Sequence, residues 1–373
     1  MEAMYKQIKQ SIKSKILEGL MQPHEKISSE SELMSQFDVS RHTVRVAIGE
    51  LVNEGWLYRE QGAGTFCADR TKNDSYSSRL PQKNIAIVTT YISAYIFPSI
   101  IRGAEAYLSE QGYHVSIFNT NNKHEQEKKI INLLLEGNYD GVIIEPSHSA
   151  SATPNLRYYL NLEKAQIPYV MINAIYDELE PIYFMMDDEL GGYLQTKHLL
   201  DLGHQNIACM YKTDDAQGQK RLKGYIKAYR ESNVPLHPKN IITYSTENNI
   251  AKPKQELKRL LTAKMDRPTA LVCYNDQLVL QLMDEVRELG IRIPDELSLV
   301  GYDDSMFAEV SEIKLTSITH PKSKLGLDAA KAIIQMIRPN EANHQSMESL
   351  SKLYEPELVV RQSTAAFRGV ADI

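Results

Sequence analysis

Two sets of residues in this chain have types and spacings suited to chemistry. The first lies in "VSRHTVRVAIGELVNEG" (39–55), where Arg41, His42 and Arg45 fall in the opening turns of one short helix. At about 100° per residue, Val44, Ala47, Ile48, Leu51 and Val52 share a stripe. His42, Arg45, Val46 and Gly49 point away from it, with Arg41 at its border. A guanidinium held on an exposed helix face is a bidentate partner for guanine, or a cation for phosphate. The second set consists of polar residues placed where short apolar runs end: Thr90 and Tyr91, Glu145, Asn173, Asn275 and Asp303. Carboxylates, amides and a guanidinium that satisfy pairs of hydroxyls, with an aromatic face for C–H groups, make the chemistry of a sugar site. His320, near the return between lobes, and Arg221, which opens "RLKGYIKAY", join this set.

Other candidates carry less. The acidic pairs at 187–189, 214–215 and 303–304 lie at loop starts, where carboxylates usually cap helices. The same role is open to Asn275, and a surface ion pair is open to Arg221. "GAG" (62–64) sits in a hairpin and is too short for a dinucleotide fingerprint, and there is no P-loop, no nucleophile elbow and no HExxH. No lysine has a recognisable pyridoxal-phosphate context. Histidines are dispersed, and the three cysteines lack metal or redox spacing. The expectation is therefore a protein that binds and does not turn over, with no cofactor and no metal.

The elements that must position these groups divide the chain. Upstream of the arginines, "SSESELMSQFDVS" is a helix capped by Ser28 or Ser29, with Leu33, Met34 and Phe37 towards the core. Ser40 caps the next helix and Gly55 stops it. A tight turn between two helices makes a helix-turn-helix, whose second helix enters the major groove. "WLYREQGAGTFCA" then reads as a β-hairpin. The polar, serine-rich stretch Ala68–Asn84 is a linker by composition. Beyond it, apolar β-branched runs alternate with amphipathic helices, the pattern of parallel sheets covered on both faces. There are too many strands for one open sheet of usual size, so two α/β lobes are expected.

The whole formal charge of −6 falls beyond residue 72, because residues 1–72 balance ten basic against ten acidic residues. A neutral head on an acidic body leaves room for a local DNA-binding face. No signal peptide or membrane span is expected, and the cytoplasm is the expected compartment. A periplasmic transport receptor would share two lobes, but would carry a signal peptide and no winged helix.

"SESELMSQFDVSRHTVRVAIGELVNEGWLYREQGAGTF" closely resembles the GntR-type winged helix-turn-helix, over about residues 3–68. Ile27-Ser28 stands where relatives commonly have Leu-Pro, and Cys67 replaces a usual apolar β-branched residue. The resemblance implies that Glu30, Arg41, His42, Thr43, Arg45 and Gln61 to Gly64, including Gly62, meet DNA. Physically, Arg45 suits guanine, Gln61 the minor groove, and Ser29, Arg41 and Thr43 phosphates, with Lys6 and Lys9 available to the backbone. "HLLDLGHQNIACM", "LVCYNDQLVLQLMDEVRELGIRIPDELSLVGYDDS" and "EPELVVRQST" resemble the sugar-sensing domain of LacI/GalR repressors, over roughly residues 84–367. This resemblance implies Arg221, Asn275 and Asp303 as the sugar-binding trio of the second lobe. Tyr91, Glu145, Asn173 and His320 are added because they end strands or switch lobes.

Together these imply a sugar-responsive transcriptional repressor acting on double-stranded operator DNA, released when a small sugar effector binds. A homodimer is expected, since one head covers a half-site. The alternatives are a repressor for another sugar or a sugar phosphate, and a sugar-converting enzyme. The expected boundaries are a head at 1–68, a linker at 69–84 and a sensor at 85–373. Within the sensor, 85–180 and 319–340 form one lobe, and 181–318 and 341–373 the other, with three crossings between them.

Overall fold

The computed structural model describes residues 4–17, 19–69, 83–92, 95–338 and 350–368. The expected linker falls largely on 70–82, outside the described residues. The chain divides into two compact units. One comprises Met1–Gln82 with Lys128–Asp140 and Asn155–Ile167; the other comprises the remainder.

In the first unit, helix α1 (Met4–Leu17) precedes α2 (Glu30–Phe37) and α3 (Arg41–Asn53), and strands β1 (Leu57–Glu60) and β2 (Gly64–Cys67) form an antiparallel hairpin. Ser29 caps α2 through a reciprocal pair with Glu32, and Ser40 caps α3 by accepting from the Thr43 amide. The turn between the helices is made by Asp38 in the left-handed conformation, φ 50°. Burial of Ile8, Ile12, Leu33, Val44, Ala47, Ile48, Leu51 and Trp56 follows the helical stripe and closes a small core. Met34 and Phe37 are only half-buried.

The second unit carries two six-stranded sheets. The first uses β3 (Asn84–Thr89), β4 (His114–Asn119), β5 (Gly141–Ile144), β6 (Tyr169–Ile172) and β7 (Ile182–Met186), separated in sequence by α4 (Phe97–Glu110), α5 (His124–Glu136) and α6 (Leu156–Lys164). The second sheet uses β8 (Ile207–Lys212), β9 (Ile241–Tyr244), β10 (Ala270–Cys273), β11 (Ser298–Asp303) and β12 (Thr316–Thr319). Helices α7 (Asp188–Asp201), α8 (Ala216–Glu231), α9 (Ala251–Leu261), α10 (Asp276–Glu288) and α11 (Met306–Val310) alternate with them, and α12 (Lys322–Ile337) follows. Two short late strands, β13 (Lys352–Tyr354) and β14 (Leu358–Val359), finish the sheets.

Strand order in the first sheet is β13-β7-β6-β5-β3-β4, parallel throughout. In the second it is β14-β12-β11-β10-β8-β9, antiparallel only at β14. The order reverses between β3 and β5 in one sheet and between β8 and β10 in the other. Ligands of such sheets bind beyond the carboxyl ends of strands at these reversals.

Two expected boundaries shift. The expected second lobe begins at 181, yet β7 pairs with β6, so the first crossing follows Met186. The connection from β6 to β7 holds a single 3₁₀ turn, Asp177–Leu179, where the strand–helix alternation asks for a helix. The tail is also expected in the second lobe, but β13 pairs with β7 and only β14 joins the second sheet. A three-residue strand leaves too short a pattern to register.

Candidate functional site

In the head, Arg41, His42 and Arg45 are exposed on α3, while Val44, Ala47, Ile48 and Leu51 are buried behind them. Glu30, at the start of α2, holds both arginines: Arg45 Nε lies 3.0 Å from its Oε1 and Arg41 Nε 3.4 Å from its Oε2. These side chains are well exposed, so the pairs orient more than they stabilise. Thr43 Oγ1 is 2.9 Å from Ser40 Oγ, and Ser29 Oγ is engaged with Glu32. At the hairpin tip Gln61 and Gly62 are exposed, with Gly62 at φ 80° and Gly64 at φ 129°. A Cβ on Gly64 would stand 2.7 Å from Lys26 Cε, which brings Lys26 to the wing, a basic residue absent from the sequence reading. Lys6 is exposed on α1. Lys9 is instead bound within the head, 2.8 Å from Glu50 Oε2 and also paired with Glu54, which removes it from the expected backbone contacts.

The second unit gathers the other set. Tyr91, Glu145, Asn173, Arg221, Asn275, Asp303 and His320 all line one cavity. Thr90 and Tyr91 follow β3 and Glu145 follows β5, one sheet's reversal. Lys212 ends β8 and Asn275 lies just past β10, the other sheet's reversal.

Glu145 is buried and accepts from the Thr90 amide at 2.9 Å, from the Thr90 hydroxyl, and from Asn173 Nδ2 at 2.9 Å. Burial raises its pKa against the pull of those donors. With its amide nitrogen so used, Asn173 leaves Oδ1 buried without a partner. Arg221 is buried, not on the surface. Its Nε lies 2.8 Å from Asp188 Oδ1, its Nη1 donates to the Tyr274 carbonyl at 2.6 Å, and Nη2 lies 3.8 Å from Asp303 Oδ1. The guanidinium also stacks 3.5 Å from the Tyr302 ring centroid. Burial works against its charge, and the Asp188 carboxylate overrides that and raises the pKa.

Close helix packing makes this arrangement. A Cβ on Gly192 of α7 would fall 2.1 Å from the Arg221 carbonyl, and one on Gly224 of α8 2.0 Å from the Glu189 carbonyl. Only glycine lets the two backbones approach so far, which brings Asp188 to Arg221.

Asn275 both caps α10 and lines the cavity: its Oδ1 accepts from the Leu278 amide at 2.9 Å. Asp303, at φ 87°, keeps Oδ1 buried without a hydrogen-bond partner. Its neighbour Asp304 does not cap a helix; its carboxylate meets Arg361 Nη1 at 2.7 Å. Burial holds the His320 imidazole neutral, its pKa pushed down to about 4, and its Nδ1 also lacks a partner.

Three charged lining residues escaped the sequence reading. Asp188 belongs to the acidic triplet at 187–189, where Asp187 does cap α7. Lys212 ends an apolar strand and pairs with Asp215 at 3.2 Å and Asp214 at 3.6 Å. Asp215 caps α8 and accepts from the Tyr274 hydroxyl at 2.9 Å. The strand-end rule that found Asp303 would also have found Lys212. Among the described residues no group of three or more His, Cys, Asp or Glu side chains is placed to hold a metal, and no helix is long and apolar enough to cross a membrane.

Residues 4–67 match the gntR family of bacterial regulatory proteins, and residues 196–364 the periplasmic binding protein-like domain. The chain is 59% identical over 365 residues to the arabinose metabolism transcriptional repressor of Halalkalibacterium halodurans, covering 98% of this chain and 97% of that one. It is 46% identical over 362 residues to the arabinose metabolism transcriptional repressor of Geobacillus stearothermophilus, covering 96% and 97%. A solved LacI family transcriptional regulator from Enterococcus faecium, with bound ribose, superposes with a TM-score of 0.64 at 25% identity, covering 76% of this chain and all of that one.

Proposed function

Since the chain belongs to the family of arabinose metabolism transcriptional repressors, we propose that its cavity takes L-arabinose and that the sugar releases the head from operator DNA. The supporting observation is the set of buried polar atoms without hydrogen-bond partners on residues that line one cavity at the carboxyl ends of parallel strands in two sheets: Asn173 Oδ1, Gln217 Oε1, Asp303 Oδ1 and His320 Nδ1. Buried polar atoms are costly without partners, and a polyol supplies both donors and acceptors. Tyr91, Phe97 and Tyr274 offer aromatic faces to its C–H side.

Charge separates a neutral sugar from a phosphorylated one. Lys212 and Arg221 are the lysine and arginine of the lining, and each is already paired with carboxylates. A phosphate would enter among Glu145, Asp188, Asp215 and Asp303 with no cation free to meet it.

On the DNA side, Arg45 reads guanine, Arg41, Thr43, Ser29 and Lys6 take phosphates, Gln61 with Gly62 and Gly64 enters the minor groove, and His42 and Glu30 complete the face. The protein acts in the cytoplasm as a homodimer that places two heads on two half-sites. Sugar must bind the arrangement that does not hold operator better than the one that does, and the coupling is reciprocal. It is a sensor and not an enzyme.

A thermal-shift screen over aldoses and their phosphates tests the reading. L-arabinose at 100 times its Kd should add about 2.7 kcal/mol to the native state. Stabilisation by a sugar phosphate and not by L-arabinose would overturn the assignment.

A further inference from the structure

We propose that the phenol of Tyr95 is a latch between the two sheets of the sensor, and that it sets how slowly the effector leaves. This rests on reading the cavity as the effector site. Tyr95 belongs to the connection between β3 and α4, on the first sheet's side, and lines the cavity. Its hydroxyl donates to the Tyr302 carbonyl of β11 at 2.8 Å and accepts from the Asp276 amide of α10 at 3.1 Å. Its ring lies 6.4 Å from that of Phe307 in α11, with 10° between the planes. Every one of these partners belongs to the second sheet's side.

What the phenol grips is informative. Tyr302 precedes Asp303 and Asp276 follows Asn275, so the two backbone groups flank two of the proposed sugar ligands. Asp276 is the first residue of α10, and such an amide has no acceptor within its own helix. Tyr95 supplies that acceptor from across the cleft. Burial pushes the phenol pKa well above its usual value, so the group stays a donor. The residue holds φ 67°, a left-handed conformation that a tyrosine seldom adopts, which aims the ring across the cleft.

Other bridges cross the cleft. Asn122 Nδ2 donates to Thr246 Oγ1 at 2.9 Å, Ser149 Oγ accepts from the Ala216 amide at 3.0 Å and Gln219 Nε2 reaches the Ala150 carbonyl at 3.5 Å, none of them beside Asn275 or Asp303. Lys322, at the start of α12, does reach the site, donating to the Asp303 carbonyl at 2.6 Å and the Asp304 carbonyl at 2.9 Å, but it lies where the chain itself passes between the sheets and not at the open mouth. Opening the cleft breaks both Tyr95 hydrogen bonds, whether a bound sugar is leaving or the empty cleft is admitting one. The latch therefore slows release, and it does not speed association.

Tyr95→Phe in the full-length chain removes both hydrogen bonds and keeps the ring. Two readouts are needed: exchange of the Asp276 amide with solvent in the absence of sugar, and stopped-flow association and release of L-arabinose. Asp276 should exchange faster in the variant, and release should quicken about tenfold, with association no slower than in the unaltered protein. Unchanged Asp276 exchange would overturn the latch, and so would unchanged release. Slower association with a lower melting temperature would make Tyr95 a packing residue, which also overturns it. If the unaltered protein binds no L-arabinose, the effector reading fails instead, and Asp276 exchange still decides the latch.

Discussion

Replacing Arg221 with methionine keeps the unbranched stem of the side chain and removes its charged head. Four interactions described above go with it: the 2.8 Å contact to Asp188, the 2.6 Å hydrogen bond to the Tyr274 carbonyl, the 3.8 Å pair with Asp303, and the stack on Tyr302. The dominant cost is what stays behind, because Asp188 is 2% exposed and would be left unpaired. Breaking a buried pair on one side costs about 3–5 kcal/mol, whereas replacing both partners with apolar groups is often nearly neutral. Arg221→Met should therefore lose about that much sensor stability, and Asp188→Leu added to it should recover most of the loss. Urea unfolding followed by far-UV circular dichroism reads the sensor. Fluorescence of Trp56, the only tryptophan and buried in the head, serves as an internal control that should not move. A single variant costing under about 1 kcal/mol, as an exposed pair would, refutes the reasoning. A double variant less stable than the single one refutes it as well.

Other outcomes follow from the same geometry. Arg45→Ala should weaken specific operator binding by about 1–3 kcal/mol and relax discrimination at one base pair while sugar affinity is kept, as gel shifts on a base-substituted operator series would show. His320 is buried with a pKa of about 4 against its usual 6.5, so the unfolded chain takes up the proton first. Its contribution is present above pH 6.5 and lost as pH falls from 6.5 towards 4. His320→Gln should remove about 3 kcal/mol of pH dependence across that window in urea titrations. Trypsin should cut first at Arg70, Lys72, Arg79 or Lys83, in the serine-rich stretch 68–84. The released head should bind operator about 10²–10⁴-fold more weakly, because two half-sites are no longer held together.

Most of the strands, the two helices of the head and the strand-end part of the cavity could be found in the sequence because each carries a local signal. A run such as "LSLVGYD" is apolar until it reaches the ligand end, and its last residue shows where the polar work is done. What stayed hidden depends on groups brought together from afar. Asp187 and Asp188 are adjacent acids at a helix start; one caps the helix and the other turns inward to Arg221, 33 residues away. A hundred-degree step along a helix separates the two roles, and nothing in the pair itself says which is which. Asn275 shows the opposite difficulty, since the capping role and the cavity role are both present in one side chain. The clamp of Glu30 on Arg41 and Arg45 crosses the turn between helices and is invisible on either helical wheel alone. β7 was misplaced because its connection lacks the helix that the rest of the pattern supplies.

The central claim is that a sugar held in the cavity governs the head. Asp303 lines the cavity with a buried oxygen that has no hydrogen-bond partner, and it lies in the sensor, far along the chain from the arginines of α3. Asp303→Asn exchanges one of its two acceptor oxygens for a donor. Operator affinity of the unaltered protein and of this variant, titrated with L-arabinose, decides the matter. The account predicts equal affinity without sugar, release of the unaltered protein as sugar rises, and a variant that stays bound at the same concentrations. A variant released at the same sugar concentration as the unaltered protein would contradict it.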